Sequence, residues 1–450
     1  MLNTNSEYLR PEIMDVLRAF DCEEEHFTHY FEYAGGKFFN SIEYGGGFYD
    51  FENEAEAETE LIFRRLAKRY CKLAFYKVIS KFKGGLVWGA LTGIRPTKLA
   101  YAEQAEGRDF KDLFKEMDVT ARKTELVGRI LETQNGIYGK GGVDLFISIP
   151  FCPTKCDYCS FITAPVSATR EYIDGYIDCL VREIESVKPY LKNLKSIYIG
   201  GGTPFVLSVD DLRRVYTALD GLNAVEYTVE AGRPDVFSEE KLDLSKRFGV
   251  TRICVNPQSF NDGTLVAIGR RHTAAQTVEA YRLAEKYGFD VNLDLIAGLA
   301  DETVSDFEKS LRAATELNPA NVTVHTLSLK SGAKLKERVK RLNIAGISDM
   351  VDLSDKLLTA AGYSPYYLYR QKYQAGGLEN VGWCKTGKAC AYNIGVMEEV
   401  SDNIAVGANA ISKKLFGGDR IERYATPKDL PTYINKIDRI IEEREKLFNE

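Results

Sequence analysis

Six short apolar or β-branched segments alternate with helical segments through the middle of the chain, and this alternation constrains the fold more than any other feature. The segments are DLFISI, SIYIG, EYTVE, RICVN, DVNLDLIAG and NVTVHTLSL, between about Val143 and Ser331. Because parallel neighbouring strands need a crossover connection, usually a helix, six such units predict a parallel sheet. The pattern fits an open doubly wound sheet or a partial (β/α) barrel, and in both folds functional groups gather where strands end.

The regions on either side of this alternation have different patterns. Residues 1–142 contain FTHYFEYAGGKFFNSIEYGGGFYDFE, which predicts β-hairpins, and then a long amphipathic helical segment. Residues 332–450 mix aromatic-rich, glycine-rich and charged helical stretches. We therefore predict three domains: a small N-terminal α/β domain (1–142), the central βα core (143–331) and a C-terminal α/β extension (332–450) that covers the substrate.

Composition argues against several classes of protein. A hydrophobic content of 44% and a charged content of 28% are typical of a soluble globular chain. The chain contains no run of eighteen apolar residues, so no membrane span is predicted. The net charge of -6 argues against a nucleic-acid partner. The first residues contain no apolar signal core, so we expect a cytoplasmic protein.

Three of the nine cysteines, Cys152, Cys156 and Cys159, lie in one short loop after the first core strand. A structural zinc site needs four ligands, and neither a second CxxC pair nor a histidine at zinc-finger spacing is present. A disulfide would leave one thiol over. A [4Fe–4S] cluster fits better, because three cysteines bind three irons and leave the fourth open. Three aromatic side chains would shield such a cluster from water: Phe151, Tyr158 and Phe161.

The other six cysteines are scattered, and in a cytoplasmic chain we expect them to be reduced and buried. Cys384 and Cys390 lie six positions apart. A second metal site there is a minor alternative, because two ligands are too few for the usual four-ligand site.

Further motifs end the following strands in order: SIYIGGGTPF, YTVEAGRP, NPQSF, IGRRH and NLDLIAGL. The glycines let the backbone approach a ligand closely, and Arg270 or its neighbour Arg271 could bind a carboxylate with two hydrogen bonds. Asp294 lies in an apolar strand, so it is either a satisfied core group or a ligand contact. Glu230 ends the third strand, where a cap or surface role is the commoner case, and Gln258 follows the fourth.

The spacing C-x3-C-x2-C, followed by these motifs, resembles the radical S-adenosylmethionine (SAM) superfamily. The ordered set resembles its oxygen-independent coproporphyrinogen III oxidase group, and GALTGIRPTKLAY, YYLYRQKYQAGGLENVGWCK and VGANAISK are similar to the HemZ-type branch. The resemblance implies a partial (β/α)6 barrel, a [4Fe–4S] cluster and SAM as cofactors, and cluster ligation by Cys152, Cys156 and Cys159. It also implies a set of SAM contacts: Phe146, Tyr158, Gly201, Gly202, Thr203, Glu230, Gln258, Arg270 and Asp294.

The resemblance further implies a reaction and partners. Two propionates of coproporphyrinogen III become vinyl groups with release of carbon dioxide, with a low-potential electron donor of flavodoxin or ferredoxin type and an unidentified acceptor. Candidate cations for the carboxylates of this tetrapyrrole are Arg95, Lys98, Arg370, Lys372, Lys413 and Lys414, with Arg370 favoured because tyrosines surround it in the sequence.

The sequence departs from the best-known oxidase pattern at three positions. Phe146 replaces a common tyrosine, Ser148 a histidine and Ser160 a further cysteine. These departures bear on the substrate and leave the radical step intact.

Two other functions fit the same scaffold. One is a haem-binding chaperone, although no histidine follows His325, so Cys384 or a tyrosine would have to be the axial ligand. The other is a different radical SAM enzyme that acts on tetrapyrroles, such as one that opens haem.

Overall fold

The computed structural model describes residues 1–93, 95–137, 139, 141–159, 164–328, 344–371, 375–417 and 420–449. Packing divides the chain into two compact units. The first comprises Met1–Arg129 with Leu368–Glu379, and the second comprises Ile130–Tyr367 with Asn380–Glu450. The predicted boundary between residues 331 and 332 lies outside the described residues, and the three-domain division stays a prediction.

The first unit contains a four-stranded sheet in the order β1-β2-β3-β4. Its strands are β1 (Leu2–Thr4), β2 (Phe27–Ala34), β3 (Lys37–Tyr44) and β4 (Gly47–Glu54). β1 runs parallel to β2, while β2, β3 and β4 form the predicted antiparallel hairpins. Each hairpin turns at a Gly-Gly pair whose φ angles are positive, which glycine adopts without steric cost.

Helices complete the first unit. They are α1 (Arg10–Ala19), α2 (Glu60–Lys83), α3 (Pro96–Ala105), α4 (Phe110–Glu116) and α5 (Ala121–Gln134), the last of which extends into the second unit. α2 is the predicted long helix, and it packs against α1 and β3. It begins where the side chain of Thr59 accepts a hydrogen bond from the backbone of Ile62, an N-cap contact that satisfies one free helical N–H.

The second unit is built around six parallel strands that are neighbours in chain order. They are β5 (Val143–Ile149), β8 (Leu194–Gly201), β9 (Glu226–Gly232), β10 (Arg252–Gln258), β11 (Asp290–Ala297) and β12 (Asn321–Thr326). Between β5 and β8 lies a small pair of strands, β6 (Phe151–Cys152) and β7 (Ala164–Pro165). The predicted alternating parallel sheet is thus confirmed.

The C-terminal part of the chain extends the same sheet at both edges. β14 (Asn380–Cys384) pairs antiparallel with β12, with β13 (Ser364–Tyr369) beyond it. β15 (Asp402–Val406) pairs parallel with β5, followed by β16 (Ile411–Leu415) and β17 (Ile421–Ala425). Among the described strands, the outer edges of β5 and β12 are therefore paired with other strands and not with each other.

Helices cover the sheet. They are α6 (Val166–Thr169), α7 (Ile173–Val187), α8 (Val209–Leu219), α9 (Glu239–Arg247), α10 (Asp262–Ala267), α11 (Ala274–Lys286), α12 (Val304–Leu317), α13 (Ile344–Ala360), α14 (Ala391–Glu398), α15 (Leu430–Asn435) and α16 (Ile437–Asn449). Short 3₁₀ helices lie at Glu7–Leu9, Arg170–Tyr172, Lys188–Tyr190, Pro204–Val206, Pro234–Val236 and Ala375–Gly377. No helix in the described ranges is long and apolar enough to cross a membrane.

Successive side chains of a strand point to opposite faces of the sheet, and one face of these parallel strands carries polar side chains. Near the N-terminal ends of the strands, Arg252 contacts the carboxylate of Glu226 at 3.4 Å. That carboxylate also accepts hydrogen bonds from Cys390 Sγ and from the backbone N–H groups of Ala391 and Tyr392, at the start of α14. A buried carboxylate at a helix N-terminus satisfies free N–H groups, so Glu226 fixes α14 against this end of the sheet.

Candidate functional site

The three cysteines of the loop follow β5 and lie beside the end of β8. Cys152 and Cys156 are buried and Cys159 is half-buried. The N–H of Gly202 donates to Ile149 O at 2.7 Å, and the N–H of Thr203 donates to Phe151 O at 2.8 Å. These bonds fasten the GGGTP segment to the end of β5 and to β6, the strand that carries the first cysteine.

Glycine is required where this segment passes the loop. A Cβ atom on Gly202 would lie 2.5 Å from Phe151 O and 3.0 Å from Cys152 Sγ. Gly201 has a φ of 107°, which residues with side chains rarely adopt. The hydroxyl of Thr203 donates to Cys152 Sγ at 3.4 Å, so Gly202 and Thr203 lie beside the first thiol, whereas Gly201 lies beside Ile149 and Ser148.

Two carboxyl groups predicted to bind SAM lie near one another at the C-terminal ends of the strands. The carboxylate of Glu230 accepts the N–H of Gly201 at 3.3 Å. Burial and the charge of Asp294 raise the pKa of Glu230 to about 7, against smaller lowering effects that include His325. Asp294 accepts from Asn292 at 2.7 Å and lies 3.7 Å from the Nε2 atom of His325. The carboxyl groups of Glu230 and Asp294 can therefore accept hydrogen bonds from ligand hydroxyls or bind a cation at these strand ends.

Gln258 has the strained backbone that functional sites often contain. Its φ is 70°, an uncommon value for a residue with a long side chain. The Oε1 atom of Gln258 and the Oδ1 atom of Asn256 are buried without a hydrogen-bond partner among the described residues. Buried amide oxygens normally have partners, so these two fit a bound ligand that supplies donors.

Arg270 is buried, whereas its neighbour Arg271 is exposed, which distinguishes the two candidates. The guanidinium of Arg270 donates to Tyr158 Oη at 2.8 Å and to Asn256 O at 2.5 Å. Tyr158 packs beside a small apolar cluster, and burial raises the pKa of its hydroxyl. Arg270 thus links the cysteine loop to the end of β10.

Phe146 lies in the middle of β5, one layer below the strand ends. Its ring stacks with Tyr198 and Tyr392, with centroid distances of 6.2 Å to each. Phenylalanine here therefore packs in an aromatic stack, and its predicted contact with SAM stays a prediction. Ser148, which replaces the histidine of the oxidase pattern, donates to Ala408 O at 2.8 Å.

Similarity to known proteins agrees with this geometry. A model of the radical SAM superfamily matches residues 146–314. The chain is 37% identical to the oxygen-independent coproporphyrinogen-III oxidase-like protein HemZ of Bacillus subtilis (strain 168), over 81% of this chain and 77% of that protein. This chain belongs to the radical SAM superfamily. Its HemZ-type resemblance is thereby confirmed.

Other radical SAM relatives differ in what their names say they do. The heme chaperone HemW of Escherichia coli (strain K12) is 31% identical over 62% of this chain and 72% of that protein. The solved structure of E. coli HemN, described as a coproporphyrinogen III oxidase and radical SAM enzyme, matches with a TM-score of 0.54 and 23% identity. It covers 69% of this chain and 72% of HemN, and it shows a shared fold.

The cofactors of this radical SAM chain are a [4Fe–4S] cluster and SAM, and its loop fits the cluster. In the part of the chain that the structure describes, no three Cys, His, Asp or Glu side chains converge on a single metal ion. A cubane cluster does not need such convergence, because each thiolate binds a separate iron. Cys152, Cys156 and Cys159 share one short loop, and the bonds from Gly202 and Thr203 hold the start of this loop, with Cys152, beside the end of β8. Ser160 and Phe161 lie outside the described residues.

Arg370, the favoured substrate cation, has a different place. Its Nε and Nη2 atoms donate to Gly377 O at 2.9 and 2.6 Å, and its Nη1 atom donates to Leu91 O. The guanidinium lies over the Trp88 ring, 5.2 Å from the centroid, and burial lowers the pKa of Arg370 to about 10. The hydrogen bonds of this side chain are therefore made within the first unit, and they give no support to a role in substrate binding.

Lys414 also has a structural place, since it donates to the carbonyls of Leu447 and Phe448 at the end of α16. Lys413 lies 3.4 Å from Glu399. Lys372 lies outside the described residues. The roles of Arg95 and Lys98 stay predictions.

Sequence reasoning missed several groups at the strand ends. Tyr198 lies two residues before the first glycine of the GGGTP segment, and Asn256 lies two residues before Gln258. Because side chains two positions apart on a strand point to the same face, this spacing could have indicated both residues. His325 becomes a candidate only once β12 pairs with β11 and places it beside Asp294.

Proposed function

We propose that this radical SAM protein is an oxygen-independent coproporphyrinogen III dehydrogenase. It would convert two propionates of coproporphyrinogen III to the vinyl groups of protoporphyrinogen IX. The observation that carries this proposal is the similarity to a coproporphyrinogen-III oxidase-like protein over 81% of the chain. That similarity extends well beyond residues 146–314, which the whole superfamily shares.

Each functional side chain has a task in this proposal. Cys152, Cys156 and Cys159 hold the cluster, and Gly202 lets the backbone approach it closely. Arg270 suits the carboxylate of SAM, because a guanidinium binds a carboxylate with two charge-assisted hydrogen bonds.

The remaining polar groups orient the rest of the cofactor. Glu230 and Asp294 can accept hydrogen bonds from hydroxyls, and the unpartnered oxygen of Gln258 can accept one from an amine. Tyr198 supports Glu230 from the layer below, since its hydroxyl acts to lower the pKa of that carboxyl by hydrogen bonding.

When bound, the two cofactors supply a radical that removes one hydrogen atom from the β-carbon of a propionate. The vinyl group then forms as the carboxyl group leaves as carbon dioxide, and one electron passes to an acceptor for each decarboxylation. A flavodoxin- or ferredoxin-type donor would supply the electron that reduces the cluster. The substrate would sit at the C-terminal ends of the strands, where parallel α/β folds bind ligands.

A haem chaperone is the second candidate, and the similarity to HemW proteins favours it. The last histidine, His325, lies on β12 beside Asp294, and its side chain is 27% exposed. If the protein is a chaperone, either His325 moves away from Asp294 to bind the haem iron, or another side chain, such as Cys384 or a tyrosine, is the axial ligand.

An anaerobic turnover assay separates the two functions. The reconstituted protein receives dithionite, SAM, coproporphyrinogen III and cell extract as the source of the electron acceptor, and mass detection follows loss of two carboxyl groups together with 5′-deoxyadenosine. Cys159→Ser should abolish both products, whereas Cys384→Ser, at a buried cysteine outside the loop, should retain them. Deoxyadenosine without decarboxylated product would refute coproporphyrinogen as substrate. Neither product, combined with stoichiometric haem binding, would favour the chaperone.

A further inference from the structure

Arg233 reaches the cysteine loop from the residue directly after β9. Its side chain is only 4% exposed. The Nη1 atom donates to the hydroxyl of Thr154 at 2.5 Å, and Thr154 lies between the first two cysteines of the loop. The Nε and Nη2 atoms donate to both oxygens of Asp235, at 2.9 and 2.6 Å. All three nitrogens of the guanidinium thus donate hydrogen bonds, and the bond from Nη1 holds the loop.

The charge of this arginine lies close to the thiols. Thr154, which it contacts, is two residues from both Cys152 and Cys156, and both of these cysteines are buried. Burial disfavours a charged arginine, but the two hydrogen bonds that Arg233 donates to Asp235 stabilise its charge. A permanent cation therefore stands within electrostatic reach of two cluster ligands, in a site from which water is largely excluded.

Asp235 partly compensates the positive charge of Arg233 at the cysteine loop. Its side chain is 21% exposed, so its charge is better hydrated than that of Arg233. A carboxylate that binds a guanidinium with two hydrogen bonds fixes its direction as well as compensating its charge. The arrangement consists of a buried cation towards the thiols and its counter-ion on the more exposed side.

We propose that Arg233 sets the reduction potential of the iron–sulfur cluster and positions its loop, with Asp235 as the group that orients and moderates it. Reduction adds one electron from an external donor to the cluster and breaks no bond. A nearby positive charge stabilises the added electron, and charge and hydrogen bonds around a cluster are known to tune its potential. This inference depends on the cluster and not on which tetrapyrrole is the substrate.

The test is a redox titration of the reconstituted full chain, followed by electron paramagnetic resonance of the reduced cluster. Arg233→Gln removes the cation and should shift the midpoint potential to more negative values. Arg233→Lys retains the charge and should restore most of the shift. Asp235→Asn removes the counter-ion and should shift the potential in the positive direction. Arg271→Gln, at the exposed arginine next to Arg270, should leave it unchanged.

The opposite signs expected for the two charge changes make the inference refutable. If both variants move the potential the same way, or neither moves it at full iron content, the inference is wrong. Should Arg233→Gln fail to take up iron, the loaded Asp235→Asn protein decides, and an unchanged potential there overturns the proposal. Because no tetrapyrrole is present, loss of the proposed dehydrogenase function would leave this result untouched.

Discussion

Replacing Gly202 with alanine should displace the cysteine loop while leaving the sheet intact. The added Cβ atom would lie 2.5 Å from Phe151 O, 3.0 Å from Ile149 O and 3.0 Å from Cys152 Sγ. Two of these are backbone atoms that already accept hydrogen bonds from the GGGTP segment, from Gly202 and Thr203. They cannot rotate away as the end of a flexible side chain could.

The geometry gives the size of the effect. To reach the 3.4 Å of an ordinary contact, Phe151 O must move by about 0.9 Å. Such a shift would stretch its 2.8 Å hydrogen bond from Thr203 beyond a useful length. Overpacking costs about 1–3 kcal/mol and a lost hydrogen bond costs about 1 kcal/mol, so the free energy of unfolding should fall by roughly 2–4 kcal/mol.

Two measurements check this, urea unfolding of the apoprotein and iron content after reconstitution. Gly128→Ala is the matched control, because it makes the same substitution within α5, where the new Cβ meets no atom within 4 Å apart from its chain neighbours and the backbone of its own helix. Alanine in a helix should leave stability unchanged or raise it by about 0.5–1 kcal/mol. A Gly202→Ala protein with the wild-type unfolding midpoint and full iron content would refute the reasoning about this close approach.

Three further predictions concern stability. Burial and Asp294 raise the pKa of Glu230 from about 4.5 to about 7, so the unfolded chain ionises first and stability is lost as pH rises between those values. In the apoprotein, Glu230→Gln should therefore gain roughly 2–3 kcal/mol at pH 8 and nothing near pH 4; a gain that does not vary with pH would contradict this. Arg444→Met removes the cation from the buried carboxylate of Glu183, which keeps neutral hydrogen bonds from Tyr433 and Gly407, and should cost about 3–5 kcal/mol in urea unfolding, whereas a loss within 0.5 kcal/mol, as is typical of surface substitutions, would show that the pair is dispensable. Gln258→Gly relieves a positive φ, so it should raise the thermal midpoint of the apoprotein while weakening SAM binding in calorimetry; a lower midpoint would show that the side chain outweighs the strain.

Much of the candidate site follows from local sequence. The thiols share one short loop, and a loop after a parallel strand lies at the strand's C-terminal edge whatever the rest of the chain does. Gly201 has a positive φ, which glycine adopts readily at the end of a strand, whereas no local pattern indicated the positive φ of Gln258. The alternation of strands and helices fixed the parallel core for a similar reason, because hydrophobic periodicity is a property of neighbouring residues.

The expected role of Arg370 shows where local reasoning ends. In the sequence it lies among tyrosines, which suggested a pocket wall. In the structure its guanidinium bonds to Leu91 O and Gly377 O inside the first unit. Tyrosine neighbours in a strand point to alternating faces, so closeness in sequence does not tell which surface a side chain joins.

The sequence by itself determined the six-strand core, the cysteine loop and its superfamily, because each depends on residues a few positions apart. Only the tertiary structure decided that β14 and β15 extend the core sheet, that the carboxylate of Glu226 holds the start of α14, and that Arg233 touches the loop through Thr154. The last two contacts join residues 165 and 79 positions apart in the chain. Such pairs form only when many weak burial and hydrogen-bond terms are satisfied together, and no local pattern records which partners will meet.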